Sequence, residues 1–258
     1  MTDVGEKLMI RISLGNVGSG KTACEVRNIK INQSRRKTYS NIIAKIKHCI
    51  PIKSGMIAKK IKTGTITRKS GKVETTYDVK LNLEYWTKIK EPINVVIDEA
   101  HSLMNARRSM SKANIILTDW IALLRRVLGE NSQGYGELVL ITQLPNRIDT
   151  IARDMATQVR FHKMWYKKTC DRCGYTWAEN SEMPEPVWEC PSCNGWKMKK
   201  HSFQVELWHF RNMEKYMLWS EMGEETYYKH YYIRGIEKYF GLYDTFQIDN
   251  LVSEIYDI

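Results

Sequence analysis

Eight residues near the N-terminus, Gly15-Asn16-Val17-Gly18-Ser19-Gly20-Lys21-Thr22, follow the pattern G-x4-G-K-[ST] in full. Glycines let backbone amides turn toward an anion without a Cβ in the way. A helix that begins at the lysine adds partial positive charge at its N-terminus. Lys21 is then placed to reach the β- and γ-phosphates of a nucleotide, and Thr22 to put its hydroxyl on Mg²⁺. The chemistry this suits is phosphoryl transfer from ATP. Val95-Val96-Ile97-Asp98-Glu99 is an apolar run that ends in two carboxylates. There Asp98 would hold Mg²⁺ through water, and Glu99 could polarise the attacking water as a general base. Leu138–Ile141 leads in the same way to Thr142-Gln143. At that strand tip Gln143 could hydrogen-bond the water or the γ-phosphate.

A second constellation is built from cysteines. Cys170-Asp171-Arg172-Cys173 and Cys190-Pro191-Ser192-Cys193 form C-x2-C-x16-C-x2-C. Each pair can make one knuckle of a tetrahedral Zn²⁺ centre with four thiolates. Four thiolates leave no position open for water, so such a site is structural. Trp165, Trp177, Trp188 and Trp196 are expected to pack over the knuckles. Lys167, Lys168, Lys197, Lys199 and Lys200 should make the base of this ribbon positive. Cys24 and Cys49 read as core thiols, and the histidines show no metal spacing.

These residues need a scaffold that brings them together. Lys7–Leu14 is β-prone, and the stretch from Lys21 to about Gln33 is helical, so the Gly-rich loop lies between strand and helix. Thr38–Ile42 reads as a second short strand. Ile61–Arg68 and Lys72–Leu81 flank Lys69-Ser70-Gly71 as a β-hairpin. Ile93–Asp98 and Glu137–Thr142 are continuously apolar, as buried parallel strands are. Asn114–Leu128 is a helix with Ile116, Trp120, Leu123, Leu124 and Val127 on one face. Pro145–Ala156 reads as a helix, and Tyr227–Tyr243 as helical packing surface. Gln158–Tyr166 and Ser202–Phe210 alternate as strands and should pair, which makes the cysteine cluster an insertion at the tip of a core hairpin. The organisation expected is an α/β ATPase core over 1–166 with a basic hairpin region at about 53–83. A zinc ribbon over 167–200 follows, then a return strand and C-terminal helical region over 201–258.

The 258 residues suit one large α/β domain, or a core plus a small module. The formal net charge of +11 favours a polyanionic partner. From Arg27 to Lys72 there are fourteen Lys/Arg and no acid. There is no run of about 18 apolar residues that could span a bilayer, and Met1–Lys7 lacks the features of a signal peptide. The expectation is a cytoplasmic protein without a membrane partner. Asp98-Glu99-Ala100-His101 also spells a helicase box, but such helicases need two ATPase domains and this chain has room for one.

The ordered set resembles the zonula-occludens-toxin-like (Zot-like) ATPases of the FtsK–HerA superfamily. It comprises the phosphate loop, Tyr39-Ser40-Asn41-Ile42, Val96-Ile97-Asp98-Glu99-Ala100-His101, Arg125-Arg126 and Ile141-Thr142-Gln143-Leu144-Pro145. Members with a zinc ribbon look most like the ATPases of archaeal viruses and mobile elements. The resemblance implies a RecA-like core with a mainly parallel sheet, in which the Gln143 strand lies between the phosphate-loop strand and the acidic strand. It further implies a homo-oligomeric ring, a hexamer favoured, with ATP at the subunit borders and an arginine supplied in trans. Arg125 and Arg126 match that position best, and Arg107, Arg108 and Arg153 compete with them. The function implied is a DNA-translocating motor for viral genome packaging, gripping the DNA backbone without sequence preference, with capsid or portal-like proteins as further partners. The alternatives are a virion assembly or secretion ATPase acting on a protein, and a zinc-ribbon DNA-binding protein that uses ATP as a switch.

Overall fold

The computed structural model describes residues 9–67, 73–103, 112–129, 136–148, 150–180 and 189–248. Among these, a nine-stranded sheet carries the fold. Its first half runs β1 (Met9–Leu14), α1 (Lys21–Asn32), β2 (Lys37–Ser40), β3 (Ile42–Ala44) and β4 (Cys49–Pro51). There follow α2 (Ser54–Ile57), β5 (Ala58–Thr67), β6 (Val73–Leu81), α3 (Leu83–Thr87) and β7 (Ile93–Ile97). Next come α4 (Ala100–Leu103), α5 (Lys112–Gly129), β8 (Glu137–Ile141), α6 (Thr150–Asp154) and β9 (Gln158–Cys170). The chain closes with β10 (Thr176–Asn180), β11 (Met198–Phe210), α7 (Met213–Met222), β12 (Lys229–Arg234) and β13 (Tyr243–Ile248).

The sheet order is β12-β11-β9-β1-β8-β7-β2-β4, with β10 on the outer part of β9. From β9 to β4 every neighbouring pair is parallel. β11, β12 and β10 are added antiparallel. This is a RecA-like α/β core, and β8 lies between β1 and β7 as the resemblance implies. Because the three strands are parallel, the residues that follow them emerge at one edge of the sheet. There Thr142 N–H donates to the Ser13 carbonyl at 3.0 Å, which ties two of the strand tips together.

The two faces of the sheet are covered by different helices, which is why these strands are apolar on both sides. Ile10, Ile12, Val95, Ile97, Leu138 and Leu140 pack with Ile116, Leu117, Trp120, Ile121 and Leu124 of α5. Val96, Val139 and Ile141 point the other way, onto Val26 and Ile29 of α1. The antiparallel pair β5–β6 stands apart from the large sheet as its own two-stranded ribbon. Its turn at 68–72 lies outside the described residues.

Two expectations fail. Pro145–Ala156 is not one helix: it is a 3₁₀ turn at Pro145–Arg147 followed by the single-turn α6. Ile148 between them has extended backbone and is fully buried, so a core contact overrides helix propensity. The region after Asn212 is not helical throughout either. Beyond α7 the chain forms β12, a 3₁₀ segment over Ile236–Leu242, and β13. Alternating residues such as Ile233, which packs on Val205 and Leu207, select a strand there.

On the α1 side of β1 the side chains are polar. Arg11 Nη2 donates to Glu25 Oε2 of α1 at 2.6 Å, and Ser13 Oγ donates to Glu25 Oε1 at 3.0 Å. Arg11 Nε lies 3.1 Å from Glu137 Oε1, near enough for charge attraction but off the line of a hydrogen bond. Burial alone would raise the Glu25 carboxyl, but Arg11 and Arg160 beside it hold it below the usual carboxylate range. This pair anchors α1 one turn after the phosphate loop. Arg11→Met would strand a buried carboxylate, so it is expected to destabilise the fold by about 3 kcal/mol, read as a lower urea midpoint. An unchanged midpoint would show that Arg160 alone suffices.

Candidate active site

The phosphate loop is held open by its glycines and closed on itself by its lysine. Gly15 has φ 147° and Gly20 has φ 84°, regions that disfavour a side chain. A Cβ on Gly15 would also lie 2.5 Å from the His162 carbonyl oxygen, and one on Gly20 would lie 2.6 Å from Val205 Cγ2. The loop is therefore pressed against β9 and β11. Lys21 Nζ donates to the Gly15 carbonyl at 2.7 Å, the Asn16 carbonyl at 2.8 Å and Ser19 Oγ at 3.3 Å. Those partners are neutral, and burial pushes the ammonium down to about 8 against the pull of Asp98 and Glu99. A buried cation curled onto its own loop is a fitting receptor for phosphate.

Thr22 Oγ1 donates to Asp98 Oδ2 at 2.7 Å, so the two residues expected to share Mg²⁺ already converge. Asp98 is 5% exposed, and burial raises its carboxyl although Thr22 and the Glu99 N–H both donate to it. Asn41, at the end of β2, fixes this aspartate by its backbone. Its Nδ2 donates to the Asp98 carbonyl at 2.8 Å, and its Oδ1 accepts from the Asp98 N–H at 2.7 Å. Such a pairing locks the side chain and the strand end in one register. The sequence offers Asn41 only as a member of a short pattern, with no hint of this role.

Glu99 has φ 51°, left-handed backbone that a non-glycine residue adopts at a cost of about 1–3 kcal/mol. That twist turns its carboxylate toward the next strand tip. Gln143 Nε2 donates to Glu99 Oε1 at 2.9 Å, and His101 Nδ1 lies 3.2 Å from Glu99 Oε2. The same ring nitrogen is 3.3 Å from Thr142 Oγ1. The expected base and the expected sensor thus touch directly, with His101 as an additional neighbour that its place in the acidic box could have flagged.

Around these groups lies a cavity of about 830 Å³. Val17 to Ala23, Asp98, Glu99 and Gln143 line it. So do Ile43, Lys45, Met164, Phe240, Gly241, Tyr243 and Asp244. No sequence motif pointed to this second group. Among the described residues that line the cavity there is no arginine. Arg125 and Arg126 lie late in α5 with side chains outside the described residues, and Arg107 and Arg108 lie outside them altogether. Arg153 on α6 donates to Thr150 Oγ1 at 3.2 Å.

A family model described as Zonular occludens toxin (Zot) matches residues 9–205. The chain belongs to the Zot family. The match takes in the phosphate loop, Asp98-Glu99 and Gln143, and places the chain among P-loop NTPases. It ends within β11, so the Zot match excludes the C-terminal segment that lines part of the cavity. The crystal structure of the N-terminal domain of zonular occludens toxin from Neisseria meningitidis aligns with 93% of this chain and 100% of that chain. The identity is 18% and the TM-score 0.46. No curated protein matches the chain.

In this Zot-family chain the four cysteines come together. Their sulfurs all lie within 4.8 Å of one another, with Cys170–Cys193 and Cys173–Cys190 at 3.6 Å. A tetrahedron with Zn–S of about 2.3 Å has edges of about 3.8 Å, so the set fits zinc. The two knuckles repeat one geometry. The Gly174 N–H donates to the Cys170 carbonyl and the Asn194 N–H to the Cys190 carbonyl, both at 2.9 Å. β9 and β11 pair up to Cys170↔Met198, directly below the knuckles.

Two details of the ribbon differ from expectation. Trp196 does not cover the knuckles, since it is 74% exposed. Trp165 and Trp177 instead donate their indole N–H groups to Glu206 and Glu179, and Trp188 lies outside the described residues. Lys168 is no part of a free basic face either. It is buried and bridges Glu179 at 2.8 Å, whereas Lys167, Lys197, Lys199 and Lys200 are exposed.

Proposed function

We propose that this Zot-family protein hydrolyses ATP to drive a motor that moves DNA, in the manner of viral genome packaging. The observation that carries the ATPase reading is the convergence of Lys21, Thr22–Asp98 and Glu99–Gln143 on one cavity. In this reading the nucleotide's phosphates take the Lys21 ammonium from its loop carbonyls, and Thr22 and Asp98 hold Mg²⁺. Bound ATP–Mg²⁺ supplies the transferable phosphoryl group and the charge neutralisation it needs. Glu99 accepts the proton of the attacking water. Gln143, already donating to Glu99, orients that carboxylate and reports what occupies the site to the β8 tip. The four cysteines hold zinc as a structural centre. The subunits form a ring, a hexamer favoured, with Arg125 or Arg126 reaching a neighbour's site.

The β5–β6 ribbon supports the DNA part. It is separate from the sheet, it exposes Lys60 and Lys62, and Lys59 and Lys37 of the same basic run are partly engaged by Glu84 and Glu91. Backbone tracking needs such charge rather than base contacts. Turnover should rise with duplex DNA of any sequence at low salt. A ring that makes about six to ten phosphate contacts in all should lose about 10³- to 10⁵-fold in DNA affinity between about 50 and about 200 mM salt. Lys60→Glu with Lys62→Glu should lower the ratio of stimulated to basal turnover. A chain that stays monomeric with every nucleotide, and whose turnover ignores DNA, would rule the translocase out. The ribbon also exposes Ile66, Val73 and Tyr77, which favours as second reading an assembly ATPase that grips a protein. Apolar contact would make its stimulation by that protein insensitive to salt.

A further inference from the structure

Part of the wall of the ATP cavity is built by a stretch that carries no motif and lies beyond the Zot-family match. After β12, Gly235 turns the chain at φ 69°, and its N–H donates to the Phe203 carbonyl at 3.1 Å. The 3₁₀ segment Ile236–Leu242 then runs over the first turns of α1, with Ile236 fully buried against the cluster of Ala23, Cys24 and Val205. Lys45 N–H donates to the Leu242 carbonyl at 2.7 Å, and β13 pairs antiparallel with β3 at Tyr243↔Ala44. The segment is thus a strap. It leaves the outer edge of the sheet, crosses α1 and is fastened to β3 on the other side.

Where it crosses, the strap faces the phosphate loop. The phosphate end of the cavity is fixed by Lys21, Thr22, Asp98 and Glu99, so the nucleoside must extend toward the remaining walls. Those walls include Ile43 and the ring of Phe240, and Lys45 lines the same cavity. Phe240 is held edge-on by Phe203, ring centroids 5.4 Å apart, so its orientation is set before any ligand arrives. Apolar surface around a preset aromatic ring, with polar groups at its border, is what a purine's faces and edges require.

We propose that the strap is the nucleoside-binding wall of the site, with Phe240 and Ile43 contacting the base of ATP. This rests on the ATPase reading and adds to it that base recognition comes from the C-terminal segment, outside the family core. The strap is thereby tied to nucleotide occupancy, because Phe240 lies on the strap and Ile43 on β3, the strand to which β13 is fastened.

Calorimetric titration with Mg²⁺–ATP and with inorganic tripolyphosphate separates base binding from phosphate binding. Phe240→Ala should weaken ATP about tenfold, the scale of one lost base–aromatic contact, and leave tripolyphosphate within about twofold. Phe240→Tyr should restore ATP affinity. Ile43→Ser, on β3 rather than on the strap and already exposed in the protein, should give the same selective loss even if Phe240→Ala loosens the strap. Equal weakening of both ligands in the two loss variants, or unaltered ATP affinity, overturns the assignment while leaving the ATPase reading intact. A wild-type protein that binds neither ligand overturns both.

Discussion

Glu99→Gln should bind ATP but turn it over about 10²- to 10⁴-fold more slowly, the scale of a lost general base. The substitution keeps the side chain's size, its left-handed backbone and a contact to Gln143, so the loop and the Thr22–Asp98 pair should stay as they are. What it removes is the acceptor for the water's proton. Lys21→Ala is the complementary variant. It deletes the cation that the phosphates would recruit from the Gly15 and Asn16 carbonyls, and should lose both binding and turnover. Filter binding and phosphate release on the same preparations check both. Near-normal turnover in Glu99→Gln would sink the base assignment, and turnover surviving in Lys21→Ala would sink the phosphate site itself.

Freshly purified protein should carry about one zinc ion per chain, the content of a single four-cysteine site. Removing it with a chelator, or replacing Cys190 by serine, should unfold the knuckles and leave the sheet standing. Metal binding is folding energy for such a module, because a preformed thiolate site does not exist in the open chain. β9 and β11 still pair from Val159↔Phe210 upward, and Val205 and Leu207 are buried in the core. Loss should therefore show as proteolytic cleavage confined to the stretch between Cys170 and Met198. Metal analysis without zinc, or cleavage spread across the whole chain, would count against a self-contained structural site.

The parts legible in the sequence are those whose chemistry depends on neighbours in the chain. The phosphate loop, Asp98-Glu99 and the paired cysteines announce themselves because local spacing makes the site. The apolar strands β7 and β8 could be read for the same reason, as could the buried face of α5. Relations between distant residues could not be read. Arg11 and Glu25 look like surface residues in an amphipathic strand and helix until α1 is laid over β1. Asn41 becomes informative only when β2 lies beside β7. The 227–243 stretch has aromatic spacing compatible with a helix, and only its neighbours, β11 on one side and β3 on the other, make strands of its ends. The ribbon tryptophans show the converse error. Nearness in sequence to the cysteines suggested cover, but Trp196 is exposed and the indole N–H groups of Trp165 and Trp177 meet carboxylates.

The strands that carry the cysteines are the strands on which the phosphate loop rests. His162 and Met164 of β9 and Val205 of β11 sit against Gly15 and Gly20, and six residues further along β9 is Cys170. At about 3.3 Å per residue that is roughly 20 Å of backbone, paired with β11 except for one bulge between His201 and Phe203. Mechanically it is a short beam, stiffened by its ladder of hydrogen bonds, clamped to the phosphate loop at one end and capped by the cysteine knuckles at the other. A load applied at the cap is borne at the two glycines, where there is no room for even one additional carbon atom.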